Sequence, residues 1–440
     1  MTKRKAPPPY LDVRKDGTIR MTSPLTGLAS WYIPGRADRP KTNAPAPSAR
    51  AAGTDLTQGA EEACDFCEAN LLKTPPEKER MVAAGGGFKA LPGARASALH
   101  ESIAAFRRVS NLFEVVPYHY WVANYGFTLS PRDAARMEDY LSEDAGRAHV
   151  RALLEAKLEM AGRSKEAIAN LDADERAELT AGLFGGSHDL IIARRHHPAG
   201  GGGQLPLGSG DLSRAEHAAY CGFTARATAD LHEQNPHVRY VVAFQNWLHA
   251  GGASFDHLHK QLVGIDGWGV LLAREAELAA ANPGIYNEAV INLASAHSLV
   301  LAENDHAILI VDIGHRHPTL AVYSKSARLR PWELSEAEMR GMSDLVGAAH
   351  RAQGAEVPSN EEWIYAPQGC RARIPWRVLI HQRVNIPSGF EGGTEIYIHP
   401  QSPFQMRDAL RARLAALADA DLPGFRVARD GTCAPDPLRA

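Results

Sequence analysis

Short apolar runs rich in β-branched residues recur along the chain, and stretches of helical character separate them. Runs of this kind, bounded by turn-forming residues, are typical of β-strands. They predict strands at residues 189–193, 238–244, 260–265, 307–313, 320–324, 376–380 and 394–398. The pattern indicates an α+β or α/β protein, with mostly antiparallel strands if the short connections are hairpins.

A long helical segment and a glycine-rich loop interrupt this pattern. Residues 130–182 are rich in Ala, Glu, Leu and Arg and contain no proline after Pro131, which predicts helical structure. Residues 198–211 have the composition of a flexible loop. Residues 1–20 and 421–440 are rich in Pro, Gly and charge, so we expect loosely held tails there.

A short repeat indicates that the chain contains two related halves. The pattern Leu-Ser-x-Ala-Glu occurs twice, with Ser213 and Glu216 in one copy and Ser335 and Glu338 in the other. A serine followed three residues later by a glutamate predicts a capping box at the start of a helix. A strand-like run and a basic loop precede each copy, which favours a common origin over coincidence.

Composition and charge narrow the class of protein. The chain has 440 residues, a formal charge of −3, 45% hydrophobic and 22% charged residues, which is ordinary for a soluble globular protein. The absence of a basic field argues against nucleic acid as a partner. No apolar run approaches the ~18 residues of a membrane span. The N-terminal residues lack the apolar core of a signal peptide, so a cytoplasmic location is expected.

The most informative stretch is His-Leu-His-Lys-Gln at residues 257–261. If residues 254–263 form a strand, His257, His259 and Gln261 lie on one face, because side chains alternate along a strand. The preceding glycines allow a ligand or another backbone to approach closely. The pattern favours an active-site wall over buried core histidines. The two histidines could bind a metal, act as base and nucleophile, or divide these roles.

The five cysteines are too few and too scattered for a disulfide framework. Only Cys64 and Cys67, in Cys-Asp-Phe-Cys, have a spacing that suggests a joint role. With one or two histidines they would complete a tetrahedral zinc site. The alternatives are a redox pair, which would need a thioredoxin-like context, and chance.

An ordered series of motifs resembles the galactose-1-phosphate uridylyltransferase family, a nucleotidyltransferase branch of the histidine-triad superfamily. The motifs occupy residues 23–40, 64–70, 107–117, 187–197, 244–261 and 388–403. The resemblance implies two histidine-triad-like halves, each an antiparallel sheet flanked by helices, with the helical insertion in the first half. We expect these halves at residues 21–275 and 276–420.

The resemblance also implies roles at the centre of the chain. His257 would be a ligand of a structural zinc ion together with Cys64, Cys67 and His197. His196 is the rival of His197, and counting from the start of the preceding strand favours His197. His259 would be the nucleophile that attacks the α-phosphorus of a nucleotide sugar.

Further residues carry over from the matching motifs as contacts to substrate. Gln261 and Ser254 would donate hydrogen bonds to phosphoryl oxygens, and Gln261, which cannot titrate, favours transfer to a phosphate acceptor over hydrolysis. The remaining assignments are the phosphate-binding Arg36 and Arg39, the nucleotide-side Asn111 and Asn246, and the sugar-side Glu395 and Gln401.

The expected activity is transfer of a nucleoside monophosphate from a nucleotide sugar to a sugar 1-phosphate or to phosphate, as in galactose metabolism. The alternatives are a nucleotide-sugar phosphorylase or adenylyltransferase, and a non-catalytic nucleotide-binding protein of the same fold. A homodimer is expected by analogy with the family. Glu275 matches a ligand of the second metal site that some members have. Around His381 the usual His-x-His is missing, so this second site is expected to be degraded or absent.

Overall fold

The computed structural model describes residues 9–36, 64–197, 205–419 and 424–439. Each of the predicted strand runs overlaps an observed strand. The strands of the described residues are β1 Leu11–Val13, β2 Ile19–Thr22, β3 Ala29–Tyr32, β4 Glu77–Ala84, β5 Gly87–Pro92, β6 Ala104–Ser110, β7 His188–Ala193, β8 Tyr240–Trp247, β9 His259–Ile265, β10 Val300–Glu303, β11 Ala307–Asp312, β12 Thr319–Ser324, β13 Ser359–Ile364, β14 Arg377–Gln382, β15 Ile396–His399 and β16 Arg426–Val427.

Helices connect and cover these strands. The α-helices of the described residues are α1 Tyr118–Tyr125, α2 Pro131–Leu141, α3 Asp144–Met160, α4 Lys165–Ala169, α5 Ala173–Gly185, α6 Arg214–Gln234, α7 Val270–Ala281, α8 Asn292–Ala296, α9 Glu336–Gln353, α10 Gly389–Thr394 and α11 Pro403–Asp419. Helices α2 to α5 confirm the helical character expected of residues 130–182. None of the described helices combines the length and the apolar character needed to cross a membrane.

A large sheet forms the centre of the structure. Its strand order is β16-β10-β11-β12-β14-β13-β8-β9-β7-β6-β4-β5, and all neighbours are antiparallel. The order β11-β12-β14-β13 in the second half mirrors the order β8-β9-β7-β6 in the first. The two halves therefore join edge to edge through β13 and β8 into one continuous sheet. This arrangement confirms the α+β fold of two histidine-triad-like halves.

The repeated serines begin corresponding helices of the two halves. Ser213 caps α6 and Ser335 caps α9, each in a complete capping box with the glutamate three residues later, as predicted. These two helices pack against each other on one face of the sheet.

The chain ends differ from the expected loose tails where the structure describes them. Residues 11–13 and 19–22 form strands of a small sheet ordered β1-β2-β3-β15, in which β15 is parallel to β3. Leu11 and Ile19 are buried in the main core. At the other end, β16 pairs with β10, and Leu438 is buried. Apolar side chains in these charged segments supply enough contact to dock them.

Candidate active site and metal centre

Four side chains from three separate segments converge next to β9. Cys64, Cys67, His196 and His257 each direct one ligand atom to a common point, and these atoms all lie within 4.8 Å of one another. The Nδ1 atom of His257 lies 3.6 Å from each of the two cysteine sulfurs. The Nδ1 atom of His196 lies 3.3 Å from the Cys67 sulfur. All four residues are buried.

The prediction of His197 as the fourth member is wrong, because His196 occupies that place. The alternation of a strand, on which the prediction depended, ends with β7 at Ala193. The chain bends from Arg194 onward, so side chains no longer alternate between two faces. His197 instead stacks on His196, with ring centroids 4.5 Å apart and planes inclined by 9°.

The chemistry of this cluster fits a zinc ion. Two thiols and two imidazoles form a Cys2His2 donor set, which is a common closed coordination shell for structural zinc. The pKa of the Cys64 thiol is lowered to about 2, first by its hydrogen bond with Cys67 and further by His196 and His257. The Nε2 atom of His257 lies 2.5 Å from the Ala193 carbonyl oxygen. Donation of the Nε2 proton to this oxygen leaves Nδ1 free to bind a metal.

His259 is the first residue of β9, two positions beyond this cluster. Its Nδ1 atom lies 2.7 Å from the carbonyl oxygen of His257, which can only accept a hydrogen bond. The proton of the neutral ring is therefore on Nδ1, and Nε2 has a free lone pair. Burial lowers the pKa of His259 to about 4, so that the ring is neutral near pH 7.

The two histidines lie on one side of the chain although only His259 is in the strand. The rings of His257 and His259 both meet the ring of Phe66 edge-on, at centroid distances of 6.0 and 5.1 Å. The intervening Leu258 is buried in the main core. Lys260 is buried on the face opposite His259 and forms an ion pair with Glu361 of β13.

The side chain of Gln261 lies on the same face of β9 as that of His259 and contacts the neighbouring strand β7. Its Oε1 atom lies 3.1 Å from Nε2 of His188, the first residue of β7. The Nδ2 atom of Asn111 lies 3.0 Å from the same Nε2 atom. Asn111, predicted to line the nucleotide pocket, therefore belongs to a small polar cluster with Gln261.

A glycine before the His-Leu-His-Lys-Gln segment allows a close backbone approach. Gly251 packs on β13, where an added Cβ would lie 2.9 Å from the Ser359 carbonyl oxygen. Asn360 donates its side-chain amide to the Gly251 carbonyl, at 2.6 Å, and to Oδ1 of Asn246, at 2.7 Å. Asn246 thus anchors the loop that precedes β9, and its contact with a nucleotide stays a prediction.

The other predicted substrate contacts lie in different surroundings. Ser254 and Arg36 are exposed, with Ser254 in the bend before β9 and Arg36 after β3. Arg39 lies outside the described residues. The carboxylate of Glu395 accepts a hydrogen bond from the Tyr397 hydroxyl, at 2.7 Å. The Gln401 amide donates to Gln382 Oε1, also at 2.7 Å. The proposed roles of these residues with substrate stay predictions.

Glu275 and His381 do not share a site. Glu275 lies in α7 and accepts hydrogen bonds from Arg377, at 2.6 and 2.8 Å, and from the Tyr286 hydroxyl, at 3.1 Å. His381 instead contacts the Thr319 hydroxyl, at 2.7 Å from Nδ1. An arginine therefore supplies the positive charge that balances the Glu275 carboxylate.

A family model described as "Domain of unknown function (DUF4921)" matches residues 14–439, nearly the whole chain. The protein belongs to this family. No curated protein sequence matches this chain.

Two of the solved structures that are similar to this chain are an enzyme and a related protein from one plant. An ADP-glucose phosphorylase from Arabidopsis thaliana with bound ADP-glucose is 15% identical, with a TM-score of 0.56. A GalT-like protein from the same plant is 14% identical, with a TM-score of 0.52. In both cases the match covers 90% of this chain and 98% of the other. The resemblance to the galactose-1-phosphate uridylyltransferase family is therefore confirmed at the level of fold.

Sequence reasoning missed two residues that shape the site, His188 and Phe66. Phe66 lies between the two cysteines in the sequence, and its ring packs against the rings of His257 and His259. His188 pairs across β7 and β9 with Val263, two positions from Gln261. The available signal was the position of each residue inside a motif that had already been singled out.

Proposed function

We propose that the protein is a nucleotidyltransferase of the galactose-1-phosphate uridylyltransferase type. It would move a nucleoside monophosphate from a nucleotide sugar to a phosphate-bearing acceptor through a covalent intermediate on His259. One observation carries the proposal: the Nδ1 atom of His259 is engaged by the His257 carbonyl at 2.7 Å, which leaves Nε2 as an unprotonated nucleophile.

The reaction consists of two displacements at the α-phosphorus. In the first, the lone pair of His259 Nε2 forms a P–N bond, and the P–O bond to the sugar 1-phosphate breaks with its electron pair on the departing oxygen. In the second, a phosphate oxygen of the acceptor attacks the same phosphorus and the P–N bond breaks. The imidazole returns to its neutral form with its Nδ1 proton still bound to the His257 carbonyl.

Negative charge on the phosphoryl oxygens calls for positioned donors. Gln261 follows His259 on the same face, and Ser254 lies exposed in the bend before it, and these positions support a proposed role of both as donors. Arg36 and Arg39 are proposed to bind the phosphates, since guanidinium groups form paired hydrogen bonds with phosphate. Asn111 and Asn246 are proposed on the nucleotide side, and Glu395 and Gln401 on the sugar side.

The proposed metal is zinc, held by Cys64, Cys67, His196 and His257. A closed shell of four protein ligands leaves no position for substrate, so the ion would have a structural role. It would fix the start of β9, because the ligand His257 also provides the carbonyl that orients His259.

The acceptor distinguishes two versions of this activity. A sugar 1-phosphate acceptor gives a hexose-1-phosphate transferase, as in galactose metabolism, whereas inorganic phosphate gives a nucleotide-sugar phosphorylase. The similarity to an ADP-glucose phosphorylase over nearly the full length supports the second version as an alternative. Incubation of the labelled enzyme with glucose 1-phosphate or with inorganic phosphate would separate them by product.

The proposal is tested by covalent labelling with a panel of nucleotide sugars that differ in base and sugar. We expect at least one of them to add one nucleoside monophosphate to the intact protein, localised to His259 by peptide mass spectrometry. His259→Ala should abolish the label, and His100→Ala, at an exposed histidine, should retain it.

Two outcomes would contradict this function. One is a complete lack of labelling in metal-loaded, folded protein with every nucleotide sugar of the panel. The other is equal nucleotide affinity of the wild type and His259→Ala without turnover in either, which would indicate a non-catalytic nucleotide-binding protein.

A further inference from the structure

His188 lies at the junction of β7, β9 and the loop of residues 111–117. Its side chain is buried, with an exposed fraction of 1%. The backbone carbonyl of His188 accepts a hydrogen bond from the backbone N–H of Asn111, at 2.7 Å. The ring contacts Val115 through Nδ1 and Gln261 through Nε2. A single side chain therefore joins the loop to the face of β9 that carries His259.

The position of the proton on the His188 ring follows from its backbone partner. The Val115 amide donates a hydrogen bond to Nδ1 at 3.0 Å, and a backbone N–H has no other role than donor. Nδ1 is therefore unprotonated. Burial lowers the pKa of His188 to about 4, so that the ring is neutral near pH 7 and its single proton is on Nε2.

The Nε2 proton in turn determines the orientation of Gln261. A donor needs an acceptor, and the Gln261 carbonyl oxygen is available at 3.1 Å. The side-chain Nδ2 atom of Asn111 lies 3.0 Å from His188 Nε2, but it is itself a donor and cannot accept this proton. The side-chain Oδ1 atom of Asn111 accepts a hydrogen bond from the Phe113 backbone N–H, at 2.9 Å. The oxygen of Gln261 is thus committed to His188, and the two N–H groups of its carboxamide are left for a ligand.

We propose that His188 is a positioning residue for nucleotidyl transfer, which fixes the Gln261 carboxamide so that its N–H groups meet the phosphoryl oxygens. This inference rests on the proposed function. The reversed carboxamide would place an oxygen against a phosphoryl oxygen, and repulsion would replace stabilisation. Since Val115 sets the ring and the ring sets Gln261, the loop of residues 111–117 and the phosphate-facing amide are oriented together.

We call the contacts from Val115 to His188 and from His188 to Gln261 the relay. Two substitutions separate these two contacts. His188→Gln places an amide nitrogen about where Nε2 lies, and so retains a donor to Gln261. His188→Asn reaches only the position of Nδ1, where its oxygen can still accept from Val115. We expect His188→Asn to lower the rate constant of labelling about 10-fold to 100-fold, which is less than the roughly 100-fold to 1,000-fold seen when a preorganised donor is removed outright, because the Gln261 carboxamide is still present.

The expected pattern distinguishes positioning from a purely structural role. His188→Gln should retain most of the labelling rate, and the dissociation constant of the nucleotide sugar should stay near that of the wild type in both variants. In a Gln261→Ala background, His188→Asn should cause no further decrease. Equal losses in both His188 variants that parallel their melting temperatures, or additive losses with Gln261→Ala, would overturn the proposal.

A second measurement decides the relay even if no nucleotide sugar labels the protein. Nitrogen-15 NMR of selectively labelled histidine reports which ring nitrogen carries the proton. We expect the Nε2–H form for His188, and a shift of the Gln261 side-chain amide signals in His188→Asn but not in the surface control His100→Asn. An Nδ1–H form would refute the relay, whereas a lack of labelling with the Nε2–H form would refute only the proposed function.

Discussion

The two halves of the molecule use the same strand order for different purposes. In the first half, β9 lies between β7 and β8 and begins with His259. In the second, β14 lies between β12 and β13 and begins with Arg377. The corresponding position thus holds a neutral imidazole with a free lone pair in one half and a guanidinium in the other.

The surroundings of these two residues explain the difference. Helix α7 packs next to β14, where its Glu275 binds Arg377 with two hydrogen bonds. Burial disfavours the charged guanidinium, but the Glu275 carboxylate outweighs it and raises the pKa of Arg377. The Tyr286 ring also lies against the guanidinium, at 5.6 Å. Around Arg377, therefore, a helix and an ion pair occupy this face of the sheet.

Strand order alone therefore does not produce a site. The fold provides an equivalent strand in each half, and the side chains together with the covering helix decide whether it binds a ligand or stabilises the core. Between the halves, Lys260 of β9 and Glu361 of β13 form a buried pair. Burial raises the pKa of Glu361, but Lys260 and His350 outweigh it and lower the pKa. This pair spans β8 and links the two halves.

The largest expected effect comes from removing the metal cluster, which among the described residues belongs to the first half alone. Cys64→Ser should lower the zinc content from about one ion per chain to near zero, together with a large loss of stability, because structural zinc contributes directly to folding. Elemental analysis and thermal unfolding measure both effects. The control Cys370→Ser, at a cysteine outside the cluster, should keep both properties.

The same measurements resolve the fourth ligand. His196→Ala should lose zinc affinity, whereas His197→Ala should retain it. A reversal of these two results would contradict the cluster as the structure presents it.

A smaller effect is expected from the ion pair of the second half. Arg377→Met leaves the Glu275 carboxylate buried beside one hydroxyl, and should lower the free energy of unfolding by about 3–5 kcal/mol in urea denaturation. The double substitution Arg377→Met and Glu275→Leu should recover most of this loss, since it removes both charges.

Substitution of His259 in the first half should affect labelling much more than stability. His259→Ala should abolish labelling and leave the free energy of unfolding within about 2 kcal/mol of the wild type. The contrast between the halves would fail if Arg377→Met were neutral for stability, or if it abolished labelling in protein that is still fully folded.

The smallest effects concern the feature that both halves share. Ser213→Ala and Ser335→Ala should each lower the free energy of unfolding by about 1 kcal/mol, because each removes the side-chain acceptor of a helix N-cap. Urea denaturation of the two variants and of their combination would measure this. Additive losses are expected, and a difference between the two sites larger than about 1 kcal/mol would show that the halves are not equivalent at their caps.

Local patterns accounted for much of the fold. The β-branched runs gave strands, and the two capping boxes are complete because serine and glutamate three residues apart satisfy each other within one helical turn. The loose tails were predicted wrongly for residues 11–20, because the few apolar side chains that dock there are outnumbered in composition by charge.

The candidate site was predicted in part. Cys64, Cys67 and His257 were found because their spacing and motif context are local properties. His197 was chosen over His196 because the count assumed a strand that continues beyond Ala193, and only the bend at Arg194 places His196 in the cluster. His188 lies inside the motif of residues 187–197, but its role could not be predicted from that position, since the role depends on Gln261, which is 73 residues away along the chain.

Local sequence is sufficient to predict where strands, helices and caps begin, because these depend on interactions within a few residues. Three features became visible in the tertiary structure alone: the free nitrogen of His259, the histidine that joins the two cysteines, and the ion pair of Arg377 with Glu275. Each of these depends on a partner that is distant in sequence, a carbonyl, a thiol or a carboxylate, whose position is set only when the sheet has formed and the helices have packed against it.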